Sequence, residues 1–217
     1  MIITIDGLSI NGKSTLAEMI SKEMGIKNLN SGTIYRCIAL EILNKKLDIN
    51  NIKDVINKIS NINIQLDNGK TLLNGIDVSK RIREEEISLL STKYGIIPEI
   101  KQLVRKIQAD FIKNNDVIIE GRDIATRIAP NADIKFYIYA DFEMRVERLY
   151  KQLKNVDIEE VKKELKLRDE IEINSGSFLK PSNAIEIDTT NIDVNEVFEI
   201  MMKEIRKLIK IDTTSNQ

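Results

Sequence analysis

The sequence predicts an α/β protein built on a parallel sheet that is flanked by helices. Three observations lead to this fold class. A β-branched run at residues 2–5 is followed by a glycine-rich turn and then by a helical pattern. Short apolar strands at residues 117–119 and 134–139 also alternate with helical patterns. Strands and helices that alternate in this way form parallel sheets, because each crossover helix packs back against the sheet.

The glycine-rich turn completes the P-loop pattern G-x-x-x-x-G-K-[ST]. It reads Gly7-Leu-Ser-Ile-Asn-Gly-Lys-Ser14 and opens the first helical pattern. The N–H groups and the dipole of a helix N-terminus attract anions, and glycines let the backbone wrap closely around a phosphate. We therefore expect Lys13 to reach the β- and γ-phosphates of a nucleotide and Ser14 to be a Mg²⁺ ligand. The alternative is a strand-to-helix turn that happens to be rich in glycine.

Composition excludes several classes of protein. The 217 residues include 33 basic and 34 acidic side chains, so the net charge of −1 creates no overall field for nucleic acid or an anionic membrane. The sequence contains no histidine, which eliminates Ser-His-Asp and Cys-His nucleophilic chemistry and most zinc sites. Phosphoryl transfer survives this exclusion, because it depends on positioning, Mg²⁺ and cationic side chains.

The single cysteine and the lack of long apolar runs indicate the compartment. Cys37 cannot form an internal disulfide, and its place in a helical pattern predicts a buried thiol. No apolar run approaches the length of a membrane span, and the N-terminus starts a strand without a signal-peptide pattern. These features predict a cytoplasmic protein.

The other elements follow in order along a chain that is long enough for one α/β core with small insertions. Helical patterns are predicted at residues 15–24, 33–43, 84–93, 98–113, 142–153, 157–170 and 194–209. A small hairpin apart from the main sheet is predicted at residues 62–78, and a last strand at 184–187. The composition of residues 174–182 indicates a mobile loop, and residues 212–217 form a polar tail that we expect to be disordered.

In a parallel sheet, ligands bind at the carboxyl ends of the strands. The P-loop, residues 120–123 and the segment after Ile187 are all predicted to lie there. Glu120 is therefore a candidate for an outer-sphere contact with Mg²⁺, and Asp6 is a weaker one. The alternative for both is an ordinary surface residue at the end of a strand.

Five motifs together resemble the bacterial cytidylate kinases, a family of P-loop nucleoside monophosphate kinases. They are Ile5-Asp-Gly-x-Ser-x-x-Gly-Lys-Ser14, Asn30-Ser-Gly-Thr-Ile-Tyr-Arg36, Val78-Ser-Lys-Arg-Ile-Arg83, Glu120-Gly-Arg-Asp123 and Ile187-Asp-Thr-Thr190. Their order and spacing follow the family over nearly the whole chain, and the second and fourth motifs are the most specific. The resemblance implies transfer of the ATP γ-phosphoryl group to CMP or dCMP, with Mg²⁺.

The resemblance also implies roles for individual residues. The catalytic residues that it implies are Lys13, Arg122 and Arg168. The implied ATP contacts are Gly7, Ser9, Asn11, Gly12, Lys13, Ser14, Thr15 and Arg148, with Ser14 as the metal ligand. The implied CMP contacts are Ser31, Tyr35, Arg36, Arg83, Arg122, Asp123, Arg168 and Glu172. Among these, Arg36 and Arg122 would bind the acceptor phosphate, and Arg83 and Asp123 would read the cytosine edge.

The chemistry agrees with these roles, although each residue also has a structural alternative. Arginine can bind phosphate with two hydrogen bonds, and a carboxylate accepts from the exocyclic amine that distinguishes cytosine from uracil. Arg36 would otherwise be a solvated surface residue, and Arg122-Asp123 a turn with a weak, exposed ion pair. Arg145 and Arg148 lie three residues apart on one helix face, and either reach the nucleotide or form a solvated charged face.

Residues 168–175 depart from the family pattern. The family has Asp and Arg where this chain has Glu172 and Ser175, and intervening arginines are missing, so that only Arg168 remains. In the family these positions normally contact the ribose and the phosphates, so we expect slow turnover, and the preference between CMP and dCMP stays open. Lys166 or Lys180 is a candidate substitute, although an ammonium group does not reproduce the two-pronged contact of a guanidinium.

The chain is predicted to be a single P-loop kinase domain and a monomer. Its core would comprise about residues 1–30, 95–153 and 183–210, with an acceptor-binding insertion at about 31–94 and a helical lid at about 154–182. Two other functions stay open. One is a kinase of the same family that acts on another small acceptor, and the other is a nucleotide-binding protein that has lost turnover.

Overall fold

The computed structural model describes residues 1–67, 69–113, 115–153, 156–174, 176 and 178–214. The strands among these residues are β1 (Ile2–Asp6), β2 (Lys27–Asn30), β3 (Ile64–Asp67), β4 (Lys70–Leu73), β5 (Ile76–Asp77), β6 (Val117–Gly121), β7 (Ile134–Tyr139) and β8 (Ile185–Asp188). The helices are α1 (Lys13–Met24), α2 (Ser31–Asn44), α3 (Ile52–Ile59), α4 (Glu85–Gly95), α5 (Pro98–Ile112), α6 (Phe142–Gln152), α7 (Ile158–Asn174) and α8 (Val194–Thr214).

The chain divides into two compact units, each with a hydrophobic core of its own. The first unit comprises residues 1–28 and 115–217, and the second comprises residues 29–114. The predicted division differs, because it places residues 95–114 with the core, whereas α5 belongs to the second unit. The predicted insertion and lid boundaries stay predictions.

A five-stranded sheet with the order β2-β6-β1-β7-β8 organises the first unit. The β6–β1, β1–β7 and β7–β8 pairs are parallel. The inward side chains of β1 and β7 are apolar, and α1 and α8 cover them with a row of buried residues that includes Leu16, Ile20 and Met201. The predicted α/β fold, a parallel sheet flanked by helices, is therefore confirmed.

The register of the sheet places chemical groups at its carboxyl edge. Asp6, the last residue of β1, pairs with Gly121 of β6 on one side and with Tyr137 of β7 on the other. The P-loop leaves β1 directly after Asp6, so it emerges beside the end of β6. This is the edge at which the sequence predicts a ligand site.

The second unit contains α2 to α5 and a three-stranded antiparallel sheet, β3-β4-β5. Its core includes Cys37, Leu40 and Leu73. The thiol of Cys37 is buried, as predicted, and burial raises its pKa to about 12.

Several elements differ from the prediction. The helix α3 and the strands β2 and β5 were not predicted, because each is short and α3 presents only Val55 and Ile59 to the interior. The helix α7 continues to Asn174, and α8 continues to Thr214, so the disorder expected for residues 212–214 of the polar tail is wrong. Residues 215–217 lie outside the described residues. None of the helices in the described ranges is both long and apolar enough to cross a membrane.

Candidate active site

The P-loop follows β1 and opens α1, as the sequence predicts. Gly7 lies against β7 so closely that a Cβ atom there would stand 2.2 Å from the carbonyl oxygen of Ile138. Gly12 caps α1 with a left-handed φ of 88°, and a Cβ atom at this position would meet nothing within 4 Å. The loop thus needs glycine for close packing at one position and for a left-handed turn beside open space at the other.

Lys13 is buried at the base of this loop. Its side chain is 5% exposed, and its Nζ donates a hydrogen bond to the carbonyl oxygen of Leu8 at 2.6 Å. Burial, together with the positive charge of Arg122, lowers the pKa of Lys13 to about 7, although Glu120 opposes this shift. Glu120 and Glu172 compensate part of the charge of this buried ammonium group, and a bound polyphosphate would compensate it further.

Asp6 and Glu120 are both buried, so neither is a surface residue at a strand end. The carboxylate of Asp6 accepts hydrogen bonds from the N–H groups of Ile124 and Ala125, each at 2.8 Å. Burial raises the pKa of Asp6 to about 6, although these two N–H groups lower it. Asp6 therefore fixes the single π-helical turn at Ile124–Ile128 that follows Arg122 and Asp123.

Arg122, Glu172 and Ser9 form a closed set of hydrogen bonds. Arg122 donates to the two carboxylate oxygens of Glu172, at 2.6 and 3.0 Å, and to the hydroxyl of Ser9 at 2.8 Å. The Ser9 hydroxyl in turn donates to Glu172 at 3.1 Å. Burial alone would raise the pKa of Glu172, but Arg122, Lys13 and Ser9 together lower it. Arg122 is therefore not part of a weak, exposed turn, and the last turn of α7 is tied to the P-loop.

The two arginines of α6 also have defined partners. Arg145 is buried and donates to both carboxylate oxygens of Asp169 on α7 and to the carbonyl oxygen of Ser9. Arg148 donates to the hydroxyl and to the carbonyl oxygen of Thr189, which directly follows β8. The predicted alternative of a solvated charged face is therefore wrong for Arg145, whereas Arg148 is partly exposed.

The remaining residues that the sequence analysis discussed for the predicted lid are Arg168, Lys180 and Ser175. Arg168 donates to Glu164, one turn earlier on α7, at 2.7 Å. Lys180 forms an exposed ion pair with Glu186 at 2.7 Å and lies 5.2 Å from the centre of the Tyr137 ring. Ser175 lies outside the described residues. Substitution of a lysine, Lys166 or Lys180, for the missing arginines stays a prediction.

The second unit holds four of the predicted acceptor contacts. Ser31 is the buried first residue of α2, Tyr35 and Arg36 are half-buried on the same helix, and Arg83 is exposed at the end of a 3₁₀ turn. The other predicted acceptor contacts, Arg122, Asp123, Arg168 and Glu172, belong to the first unit. Asp123 forms an ion pair with Arg127 at 3.5 Å.

Three buried polar residues have partners that the sequence did not indicate. Asp169 pairs with Arg145, Thr189 accepts from Arg148, and Gln108 of α5 donates to Ser31. Gln108 had a local signal, because it continues the spacing of Ile100 and Val104 along one face of α5. A polar residue on an apolar helix face indicates a specific partner.

The residues present fit a magnesium nucleotide. Gly12, which has no side chain, leaves the N-terminus of α1 without a side-chain cap, and Lys13 lies beside it. Among the described residues, no group of three or more His, Cys, Asp or Glu side chains could hold a metal ion. Mg²⁺ usually takes one or two protein oxygens together with water and substrate phosphates, so a site built on Ser14 and the nucleotide fits this arrangement.

Comparison with known proteins identifies the family. The sequence profile of the family described as Cytidylate kinase matches residues 3–207. A cytidylate kinase of Fusobacterium nucleatum is 35% identical over 214 residues, which cover 96% of this chain and 98% of that protein. Cytidylate kinase 1 of Haemophilus influenzae is 36% identical over 217 residues, which cover 95% and 94% of the two chains.

A solved structure supports the fold alone. A crystal structure of a Thermus thermophilus protein superposes with a TM-score of 0.52 at 16% identity, and the match covers 95% of this chain and 96% of the other. The family assignment rests instead on the profile match and on the two bacterial relatives, which span nearly the whole chain. The chain belongs to the cytidylate kinase family.

Proposed function

We propose that this protein transfers the γ-phosphoryl group of ATP to CMP or dCMP. One observation supports this most directly. The hydroxyl of Ser9, within the P-loop, accepts a hydrogen bond from Arg122 at 2.8 Å. A phosphate held by Arg122 would therefore lie beside a phosphate held by the P-loop. In-line transfer between two phosphates requires this adjacency, because catalysis rests on positioning and on compensation of charge.

The donor side of the proposed site uses the P-loop and Arg148 of α6. Lys13 would neutralise charge on the β- and γ-phosphates, and a Mg²⁺ ion bound at Ser14 would supply further positive charge. Backbone groups of Gly7, Ser9, Asn11, Gly12 and Thr15 would enclose the phosphates, and Arg148 would contact the nucleotide from α6. Arg148 is held near the end of β8 by Thr189, which suits a role at the same sheet edge.

On the acceptor side, Arg36 and Arg122 would bind the phosphate of CMP, with Ser31 and Tyr35 beside them. Arg83 and Asp123 would read the base. Asp123 can accept a hydrogen bond from the cytosine amine, whereas it would face the carbonyl of uracil with like polarity. We therefore expect CMP to be a better acceptor than UMP.

Arg168 and Glu172 are the remaining proposed acceptor contacts, at the position of the arginine-poor lid. Turnover should be slow, because an arginine that compensates charge on a transferring phosphoryl group has been worth about 10³ or more in rate. The proposed enzyme is a cytoplasmic monomer that acts on small soluble nucleotides.

The test is a coupled assay of ADP release with CMP, dCMP, UMP, AMP and GMP as acceptors. We expect the highest kcat/KM with CMP or dCMP. Lys13→Ala should lower kcat by orders of magnitude while the Tm changes little, because Lys13 compensates charge that develops in the transition state. Lys22→Ala is the matched control, since Lys22 is an exposed lysine on the same helix and should leave kcat unchanged.

Other outcomes contradict the proposal in distinct ways. A higher kcat/KM with a different acceptor would favour a kinase of this family with another substrate. Binding of ATP without phosphorylation of any acceptor would favour a non-catalytic nucleotide-binding protein. Normal kcat in Lys13→Ala would remove the P-loop from the mechanism.

A further inference from the structure

Thr189 belongs to the motif Ile187-Asp-Thr-Thr190, which contributes no proposed contact with a substrate. The residue directly follows β8 and is 3% exposed. Its N–H group and its hydroxyl both donate to the carbonyl oxygen of Tyr139, at 2.7 and 3.0 Å. Its hydroxyl oxygen and its own carbonyl oxygen accept from Nη1 and Nη2 of Arg148. Thr189 therefore joins the end of β7 to a guanidinium group of α6.

The chemistry of the two partners fixes the direction of these hydrogen bonds. A hydroxyl has one hydrogen, and the carbonyl oxygen of Tyr139 can only accept, so the hydrogen of the Thr189 hydroxyl points to Tyr139. A guanidinium group can only donate, so Arg148 uses a lone pair of the same hydroxyl oxygen. Neither bond can reverse. The hydroxyl is thus a link of defined polarity between a backbone carbonyl and a cation.

This link lies beside the contact between the P-loop and β7. The carbonyl oxygen of Ile138 accepts a hydrogen bond from the side chain of Asn11, within the P-loop, at 3.2 Å. Tyr139 is the next residue and the last of β7. Consecutive carbonyl groups of β7 therefore hold the P-loop and the link from Thr189 to Arg148, at the carboxyl edge of the sheet.

Arg148 keeps hydrogen-bonding capacity beyond this link. A guanidinium group has five N–H groups, and Thr189 accepts one hydrogen bond from each terminal nitrogen. The side chain of Arg148 is also partly exposed, whereas Thr189 is buried. One edge of the cation is thus fixed, and its other N–H groups suit contact with the oxygens of a ligand.

We propose that Thr189 is a positioning residue that holds the guanidinium group of Arg148 in place for contact with the donor nucleotide. The inference rests on the proposed function, which places Arg148 at ATP. Thr189 itself does not touch the nucleotide. A side chain that is already ordered loses less conformational entropy when a ligand binds, so the link should raise the affinity for ATP. A purely structural hydrogen bond would affect stability alone.

The test compares variants of residue 189 by calorimetric titration with ATP in the absence of acceptor. Thr189→Val keeps the shape of the side chain and removes the hydroxyl, so we expect the Kd for ATP to rise about fivefold, the scale of one ordinary hydrogen bond. Thr189→Ser should stay within about twofold of the wild-type Kd, because its hydroxyl can form the same bonds. The KM for CMP at saturating ATP should be unchanged in both variants, since Arg148 has no proposed contact with the acceptor.

Thr92→Val is the matched control. The hydroxyl of Thr92 donates to the carbonyl oxygen of Ser88 within α4, at 3.1 Å, so the same loss of a threonine hydroxyl there should leave the Kd for ATP unchanged. If Thr189→Val does not fold, Thr189→Ala replaces it in the comparison with Thr189→Ser, because alanine and serine also differ only in the hydroxyl.

A double variant shows whether Thr189 acts through Arg148. Arg148→Met removes the guanidinium group and should itself raise the Kd for ATP. If the two residues act as a unit, Thr189→Val should cause no further rise in the Arg148→Met background, because the two losses are one loss. Additive increases in Kd would overturn the inference.

Other results would also contradict the inference. A normal Kd for ATP in Thr189→Val, together with a lower Tm, would mean that the link is purely structural. Equal weakening in Thr189→Ser and Thr189→Val would show that the hydroxyl is not the group that matters. A normal Kd in Arg148→Met would remove Arg148 from the ATP contacts. Failure of the wild-type protein to phosphorylate CMP while it binds ATP is a different result, which would contradict the proposed function instead.

Discussion

Arg145 and Asp169 form a buried ion pair with two hydrogen bonds, from Nη1 to Oδ1 at 3.0 Å and from Nη2 to Oδ2 at 2.6 Å. The same Nη1 donates to the carbonyl oxygen of Ser9 at 3.2 Å. One guanidinium group thus joins α6, α7 and the P-loop. The next residue, Ile10, has a φ of 63°, which is strained for a β-branched side chain. We infer that the contact at Ser9 helps to hold the loop in this conformation.

Loss of this ion pair should destabilise the fold. Asp169→Asn leaves the charge of Arg145 buried without a counter-charge, so we expect the free energy of unfolding to fall by about 3 kcal/mol. Urea unfolding monitored by circular dichroism measures this change. Arg81→Ala is the control, because Arg81 pairs with Glu84 and Glu86 at the surface and its loss should not measurably alter stability. Equal losses in both variants would contradict the prediction.

Asp6 should make the protein more stable at mildly acidic pH. The folded-state pKa of about 6 lies above the ordinary value of 3.8, so the folded state binds the proton more tightly than the unfolded state. Between these two values, stability therefore falls as the pH rises. The advantage of the wild type over Asp6→Asn in free energy of unfolding should shrink by about 2 kcal/mol from pH 4 to pH 7. A difference that is independent of pH would refute this.

Glu172 should show the opposite pH dependence. Its pKa is lowered by Arg122, so the ionised form stabilises the folded state above the ordinary value of 4.5, and this contribution is lost as the pH falls through the folded-state value. We expect Glu172→Gln to lower the free energy of unfolding by about 2 kcal/mol at pH 7. Urea titrations from pH 4 to pH 8 should show a constant deficit above pH 6 and a smaller one at pH 4. A deficit that grows in acid would contradict the assignment.

Nucleotide binding should take up a proton. With a pKa of about 7, Lys13 is mostly neutral at pH 8, and a bound polyphosphate would restore its charge. Calorimetric titration with ATP in two buffers of different ionisation enthalpy should therefore show uptake of roughly one proton at pH 8. Lys13→Met should abolish the uptake, and Lys22→Ala should retain it. Identical enthalpies in both buffers for the wild type would refute the prediction.

Selectivity for cytosine should depend on Asp123. Asp123→Ala should reduce the ratio of kcat/KM for CMP over UMP by about tenfold or more, because a hydrogen bond to a charged group contributes about 1.5–3 kcal/mol. Arg127→Ala is the control, since it removes the ion-pair partner of Asp123 but no proposed contact with the base. An unchanged ratio in Asp123→Ala would show that other residues read the cytosine edge.

Contiguous patterns in the sequence predicted the parts of the fold that depend on local chemistry. The P-loop was predicted because four residue types at fixed spacing lie between a β-branched run and an apolar helical pattern, and the structure has β1, the loop and α1 in that order. The strand at residues 134–139 was predicted with its correct bounds, because β-branched and aromatic residues form a contiguous run there. Short elements such as α3 were missed, because its two buried residues are too few to make a recognisable helical pattern of apolar residues.

The partners of the charged residues could not be predicted in this way. Asp6 accepts hydrogen bonds from the N–H groups of Ile124 and Ala125, which come 118 and 119 positions later in the chain. Arg122 and Glu172 are 50 positions apart. A contact between distant segments leaves no period or spacing in the sequence. Local chemistry thus predicted which residues bear charge at the sheet edge, and packing of the strands and helices decided which of them meet. That packing also set the direction of each pKa shift, because burial and the nearest charge exist only in the folded chain.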